Sequence, residues 1–314
     1  MASTAPEPKT LHLVGIGVTH SIAPRMHNHI AQSLGLPWAF FATECPTMGD
    51  VLSLARDPRT AGLVVTMPYK NSVMPQLDYL DSLASTIGAC NNIYYTPSPD
   101  GPGKRQICGT NTDWRGIKGC LLEKRDERER PSATNPGAAL VVGAGGASRA
   151  AVCALSAHLH CPTIYILNRD AGEVAALIAD AQKLPALPQI IHITSAEQAA
   201  AVQKSKPPYY IVGTVPDFEP ENETERAVAS LLESFLSRPE KGVLLDMCFK
   251  PRRTRMIKLA ERLGWSCVEG THVIGYQIQE QWRLWAGEER VKKLDWDGAW
   301  KVLLRAAEES MAIN

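Results

Sequence analysis

The chain has 314 residues, which at the usual domain size points to two domains. Its 45% hydrophobic and 21% charged residues can build packed cores and exclude a disordered polyelectrolyte. With 33 basic and 33 acidic residues the formal net charge is zero, which argues against nucleic acid or an acidic membrane surface as partner. No run approaches the ~20 apolar residues of a membrane span, and the opening MASTAPEPKT lacks the layout of a secretion signal. A cytoplasmic address is therefore expected. The cysteines at 45, 90, 108, 120, 153, 161, 248 and 267 form no CxxC pair and are expected as reduced core residues, with no metal site.

In chain order, the apolar run Leu11–Gly15 predicts a strand, and Met26, Ile30 and Leu34 give Ser21–Leu34 helical spacing. Leu63–Thr66, Asn92–Tyr95 and Gln106–Cys108 repeat the strand signal, so the first 120 residues read as one small α/β unit. Glu123–Gly137 is charged, then rich in proline, serine and asparagine, and is expected to be a connector. Beyond it, strand Ala138–Val142, a glycine turn, helix Ala147–His158, strand Thr163–Leu167 and helix Val174–Ala181 predict a βαβ unit. Further runs at Ile190–Ile193, Tyr209–Val212 and Val243–Asp246 extend it to a Rossmann-type doubly wound parallel sheet of five or six strands. From Val273 onward the pattern is helical, with Trp282, Leu284, Trp285, Trp296, Trp300 and Leu303 as a core stripe expected to return to the first domain.

The turn Gly143-Ala144-Gly145-Gly146-Ala147-Ser148 follows a strand and opens a helix, where glycines permit close approach of a pyrophosphate to backbone N–H groups. An ordinary strand-to-helix turn is the alternative reading, and Ser148 stands where the fingerprint has its third glycine. The next strand ends in Asn168-Arg169-Asp170. An acidic group there accepts from a ribose 2′-OH and repels a 2′-phosphate, while an arginine does the opposite. Asp170 and Glu173 tip the expectation to NAD, with NADP possible; Asp170 could instead simply cap the helix starting near Ala171.

Four loop segments hold a lysine, an aspartate, hydroxyls and amides at strand ends: Gly17-Val-Thr-His-Ser21-Ile-Ala-Pro24, Val64-Val-Thr66-Met-Pro-Tyr-Lys70, Gly88-Ala-Cys-Asn91-Asn92 and Gly109-Thr-Asn111-Thr-Asp113. Each has an ordinary explanation as well. Lys70 could be a solvated charge, Asn91 could serve a turn, Thr66 could satisfy a strand end, and Asp113 could cap a helix over Trp114–Leu122. Their order and wording, with the glycine turn, Asp246-Met247, Lys250-Pro251 and Gly270-Thr-His-Val-Ile-Gly-Tyr-Gln277, resemble the shikimate dehydrogenase family, including the quinate/shikimate dehydrogenases, over nearly the whole chain.

The resemblance implies a substrate-binding domain in residues 1–122 and 272–314 and a dinucleotide-binding domain in 123–271. It implies Lys70 and Asp113 as catalytic pair, and alcohol oxidation by hydride transfer independently requires a base at the hydroxyl. It further implies that Thr66, Asn91 and Gln277 bind ring hydroxyls, Ser21 binds a carboxylate, and Met247 and Gly270 border the nicotinamide. Ala23 replaces a second hydroxyl, Phe249 a tyrosine and Asn92 a threonine of the family pattern. The expected activity is reversible NAD(P)-dependent oxidation of shikimate or quinate, by a monomer or homodimer with small-molecule partners only. A biosynthetic NADP enzyme and a non-catalytic sensor are the alternatives.

Overall fold

The computed structural model describes residues 6–125 and 137–314. Most of the expected connector, 126–136, lies outside the described residues. The contacts divide the chain into Met1–Thr112 with Gln277–Ala312, and Asp113–Tyr276 with Ile313–Asn314. Among the described residues twelve strands make two six-stranded sheets, one in each unit.

In the first unit, β1 (Lys9–Gly15), β2 (Trp38–Glu44), β3 (Thr60–Val65), β4 (Tyr79–Leu80), β5 (Asn92–Pro97) and β6 (Arg105–Thr110) lie in the order β2-β1-β3-β5-β6-β4. β1 runs parallel to β2 and β3, whereas β5 is antiparallel to both β3 and β6, so the sheet is mixed. One core gathers Val14, Leu63, Val65 and Ile93 from the strands with Val51, Tyr69 and Ala84.

The returning C-terminal chain packs in this unit as the tryptophan stripe predicts. Trp285, on helix Ile278–Ala286, donates its indole N–H to the Ile93 carbonyl at 3.1 Å. Gly62 makes room for that ring, since a Cβ there would collide with the indole. Trp282, fully buried, donates to Nδ1 of His27 at 3.1 Å, and the His27 ring stacks on Phe40 with centroids 4.2 Å apart. Helix Ala23–Ser33 carries His27 and begins with Pro24, which needs no N–H in the first turn.

In the second unit, β7 (Ala138–Val142), β8 (Thr163–Leu167), β9 (Gln189–His192), β10 (Pro208–Gly213), β11 (Val243–Asp246) and β12 (Ser266–Glu269) pair in parallel in the order β12-β11-β10-β7-β8-β9. This is the doubly wound arrangement, with its switch point between β7 and β10. The strands β7 and β8 are buried along their whole length, as parallel strands covered on both faces should be. The helix expected over Ala147–His158 is α-helical over Gly146–Cys153, and its last turn widens to a π-helix over Ala154–His158. There the Ser156 hydroxyl donates to the Val152 carbonyl at 2.8 Å and competes with the regular backbone ladder. All eight cysteines are free thiols, six of them buried.

Burial pushes the His27 imidazole down to about 3. In the unfolded chain a histidine titrates near 6.5, so between these values the unfolded state takes up a proton that the folded state does not. Stability contributed by neutral His27 is thus complete above about 6.5 and is lost as pH falls towards 3, by at most ~1.4 kcal/mol per pH unit. Urea unfolding between pH 6.5 and 4 should show a shallower loss for His27→Gln, which keeps an acceptor for Trp282, than for the wild type. Equal slopes would remove His27 as a source of acid sensitivity.

Candidate functional site

In the first unit the predicted polar residues sit where strands end. Thr66 follows β3, and its backbone N–H donates to the Val14 carbonyl at 3.0 Å. Gly15 lies beneath it, because a Cβ at position 15 would meet the Thr66 methyl at 2.5 Å. Lys70, half-buried, stands on the short helix Tyr69–Ser72, and its carbonyl accepts from Cys90 N at 2.7 Å. That bond ties the lysine's backbone to the segment entering β5. Val65 N donates to the Asn91 carbonyl at 2.7 Å, so the Thr66, Lys70 and Asn91 segments are joined by backbone bonds.

Asn91 is 1% exposed and is the centre of a buried cluster. Its Nδ2 donates to Gln277 Oε1 at 2.8 Å, while its Oδ1 accepts from Thr112 N at 2.6 Å and lies 3.2 Å from Thr112 Oγ1. Gln277 Oε1 also accepts from Thr112 Oγ1 at 2.6 Å and more weakly from Gln281 Nε2 at 3.5 Å. The structure therefore brings Asn91 and Gln277 together. It adds Thr112, which sequence reasoning passed over although the Gly109–Asp113 motif contains it; a hydroxyl directly before the singled-out aspartate was the available signal.

Ser21, half-buried, lies in the loop between β1 and helix Ala23–Ser33, where its Oγ accepts from Ala23 N at 3.3 Å. A hydroxyl used as acceptor keeps its own O–H for another partner. The same loop is anchored by Glu44 at the end of β2, whose carboxylate accepts from Gly17 N and, at 3.1 Å, from Val18 N. No sequence motif marks Glu44, because its partners are backbone groups 27 and 26 positions away.

The remaining predicted residues fall in the second unit. Asp113, 4% exposed, starts helix Asp113–Glu123. Gly143 follows β7 with φ +115°, a conformation that favours glycine, and a Cβ on it would collide with Thr214 after β10. Thr214 Oγ1 in turn donates to the Val142 carbonyl at 2.7 Å and lies 2.7 Å from Ser148 Oγ. Arg149 donates from Nη1 to the Ala144 carbonyl at 2.8 Å and from Nε to Asp180 at 2.7 Å, holding the turn against helix Ala171–Ala181.

Helix Gly146–Cys153 begins at Gly145 with no side-chain cap, and the Cβ position of Gly145 faces open space. Uncapped N–H groups beside open backbone at a switch point fit the pyrophosphate of a dinucleotide. The other end of that site would lie past β8. There Asp170 Oδ1 accepts from Gly172 N at 2.7 Å and Glu173 N at 3.0 Å, the capping role the sequence left open. Asn168 Nδ2 donates to Glu173 at 2.9 Å, and Arg169 is ion-paired with Glu225. Met247 and Gly270 also meet: a Cβ on Gly270 would lie 2.5 Å from the Met247 carbonyl oxygen, so only glycine allows β11 and β12 to continue side by side there.

Asp246, buried at the end of β11, accepts from Thr254 Oγ1 at 2.7 Å and Cys248 N at 3.1 Å. Burial raises its carboxyl to about 6 against those hydrogen bonds. Among the described residues no group of three or more histidine, cysteine or acidic side chains could hold a metal ion, and no helix is long and apolar enough to cross a membrane.

These features agree with what the chain is similar to. The family pattern described as the shikimate dehydrogenase substrate binding domain matches residues 13–93. A quinate dehydrogenase of Emericella nidulans is 34% identical over 297 residues, covering 90% of this chain and 89% of that protein. A pentafunctional AROM polypeptide of Eremothecium gossypii is 35% identical over 288 residues, 89% of this chain but 17% of that polypeptide. Among solved structures, the shikimate 5-dehydrogenase of Thermus thermophilus in complex with NADP(H) and shikimate has a TM-score of 0.68 at 25% identity, covering 95% of this chain and 99% of that one. The fold and the site motifs define a two-domain α/β protein of the dehydrogenase class. The chain belongs to the shikimate and quinate dehydrogenase family.

The buried cluster makes a direct prediction. Thr112→Val removes a hydroxyl that donates within a closed environment and should lower the unfolding free energy by about 1–2 kcal/mol, whereas Thr112→Ser should retain most of it. Urea titrations of the two variants compare them; equal losses would mean that the hydroxyl is not what matters.

Proposed function

We propose that the protein is an NAD(P)-dependent dehydrogenase that reversibly oxidises a secondary alcohol of shikimate or quinate to the 3-dehydro ketone, with NAD favoured. Membership of the family supports the reaction class, and the ligands of the Thermus thermophilus relative support the substrate and cofactor class. The observation that carries the reading is the buried Asn91–Thr112–Gln277 cluster, a set of oriented amides and a hydroxyl joined through the backbone to Lys70. Such a set recognises a polyol by hydrogen bonds that an apolar analogue cannot make.

In this reading residues 1–122 and 272–314 bind the substrate and 123–271 bind the dinucleotide. A bound nicotinamide would supply the hydride acceptor for the alcohol carbon. Lys70 takes the hydroxyl proton in the oxidative direction and returns it in the reductive one, and Asp113 orients it. Thr66, Asn91 and Gln277 hold ring hydroxyls, and Ser21 donates its O–H to the carboxylate. Gly143, Ala144, Gly145, Gly146 and Ala147 would hold the pyrophosphate, Asn168, Arg169 and Asp170 the adenosine ribose, and Met247 and Gly270 would border the nicotinamide. The assignment includes a cytoplasmic address, small-molecule ligands only, and a monomer or homodimer.

Lys70→Ala should lower kcat by ~100-fold or more, the usual contribution of a placed base, with far less effect on the dinucleotide Kd. Retention of more than half the wild-type kcat would remove Lys70 from the proton transfer. Steady-state oxidation of shikimate and quinate with NAD and NADP, in all four combinations, tests the activity itself; no turnover in any of them overturns the proposal.

Ala23 offers a separate check on the carboxylate site. Ala23→Ser supplies a second hydroxyl beside Ser21 and should tighten shikimate or quinate by up to about 1 kcal/mol. An unchanged or raised KM would mean that the carboxylate is held in another way.

A further inference from the structure

Arg169 is the only basic residue in the run Asn168–Glu173 that leaves β8, and the cation could attract the 2′-phosphate of NADP. Its guanidinium is instead paired with Glu225, 56 positions further along the chain. Glu225 is itself held. It lies in the first turn of helix Glu223–Ser237, its N–H donates to the capping Asn222 side chain at 2.9 Å, and its Oε2 accepts from Glu221 N at 2.9 Å. One carboxylate oxygen thus fixes the helix start while the other engages the arginine.

Asp170 and Glu173 on the β8 side are likewise held, one by the helix N–H groups and the other by Asn168. The carbonyl of Asn168 accepts from His192 Nε2 at 3.0 Å, which steadies the end of β8 from β9. The run that leaves β8 thus carries two carboxylates, Asp170 and Glu173, and one arginine, which is already engaged by a third carboxylate, Glu225.

We infer that Glu225 is a specificity-determining residue for the cofactor: by engaging Arg169 it withholds that cation from a 2′-phosphate and leaves the ribose end of the site negatively charged. The inference rests on the proposed placement of the adenosine ribose beside Asp170. A 2′-hydroxyl is neutral and accommodates this arrangement, whereas a 2′-phosphate brings between one and two further negative charges towards it. Glu225 acts through Arg169 and is a positioning residue, not one that touches the reacting atoms.

The test is a double-mutant cycle read as the ratio of kcat/KM for NADP to that for NAD, with dissociation constants for both dinucleotides from quenching of the protein's own fluorescence. Glu225→Gln keeps an oxygen for the Glu221 N–H and removes the charge, so the helix start survives. It should raise the NADP to NAD ratio by roughly tenfold or more, the range of a charge-assisted hydrogen bond. Arg169→Ala should lower the ratio in the wild type, where it leaves the Glu225 carboxylate unneutralised, and should cancel the gain in the Glu225→Gln background. A ratio within twofold of wild type in Glu225→Gln, or a gain that persists without Arg169, overturns the inference while leaving the cofactor assignment standing. Wild-type protein that binds neither dinucleotide overturns both.

Discussion

The first unit depends on one acceptor atom. Gln277 Oε1 takes hydrogen bonds from Asn91 and Thr112, so a strand start, a strand end and the returning C-terminal chain meet at a single buried point. A buried amide or hydroxyl without a partner costs about 1–3 kcal/mol, which leaves little latitude in where the three segments lie. The tryptophans extend the same constraint along helix Ile278–Ala286. Trp285 reaches across the space that Gly62 leaves open, and Trp282 closes on His27. The buried polar cluster and the aromatic packing of helix Ile278–Ala286 are thereby parts of one arrangement.

The second unit solves a different problem, which is to leave donors open without leaving the fold unsatisfied. The helix after the glycine turn starts without a side-chain cap while the residues around it are tied down. Thr214 bridges the ends of β7 and β10, and Arg149 clamps the Ala144 carbonyl with its charge balanced by Asp180. Asp246 does similar service at the end of β11, where Thr254 and Cys248 satisfy a carboxyl that burial has pushed up.

Charge around the site is used sparingly. The chain carries no net charge, and several carboxylates near these segments serve as caps or in ion pairs, among them Asp170, Asp180 and Glu225. Glu44 holds the Ser21 loop by its backbone, Asp170 caps a helix, and Glu225 engages Arg169. The polar groups assigned to the substrate are mainly neutral hydroxyls and amides. They give direction to hydrogen bonds without the desolvation cost of a buried ion.

Local pattern determined a good deal of this protein. Strands β7 and β8, the glycine turn and the helix after it were legible because consecutive apolar residues and glycines act within a few positions of one another. The motifs holding Thr66, Lys70, Asn91 and Asp113 were legible for the same reason. The mixed first sheet was not, since the antiparallel placement of β5 is a matter of pairing between distant segments, and the four-residue β12 and two-residue β4 are too short to carry a period. The π turn at Ala154–His158 accompanies a serine that bonds back to the helix, which no apolar spacing reveals. Sequence alone named Asn91, Gln277 and Arg169, but only the tertiary structure supplied Thr112, Glu44 and Glu225 as their neighbours or supports. A side chain's chemical type is a local property, whereas its hydrogen-bond partner is chosen by whichever distant segment the folded chain brings within reach.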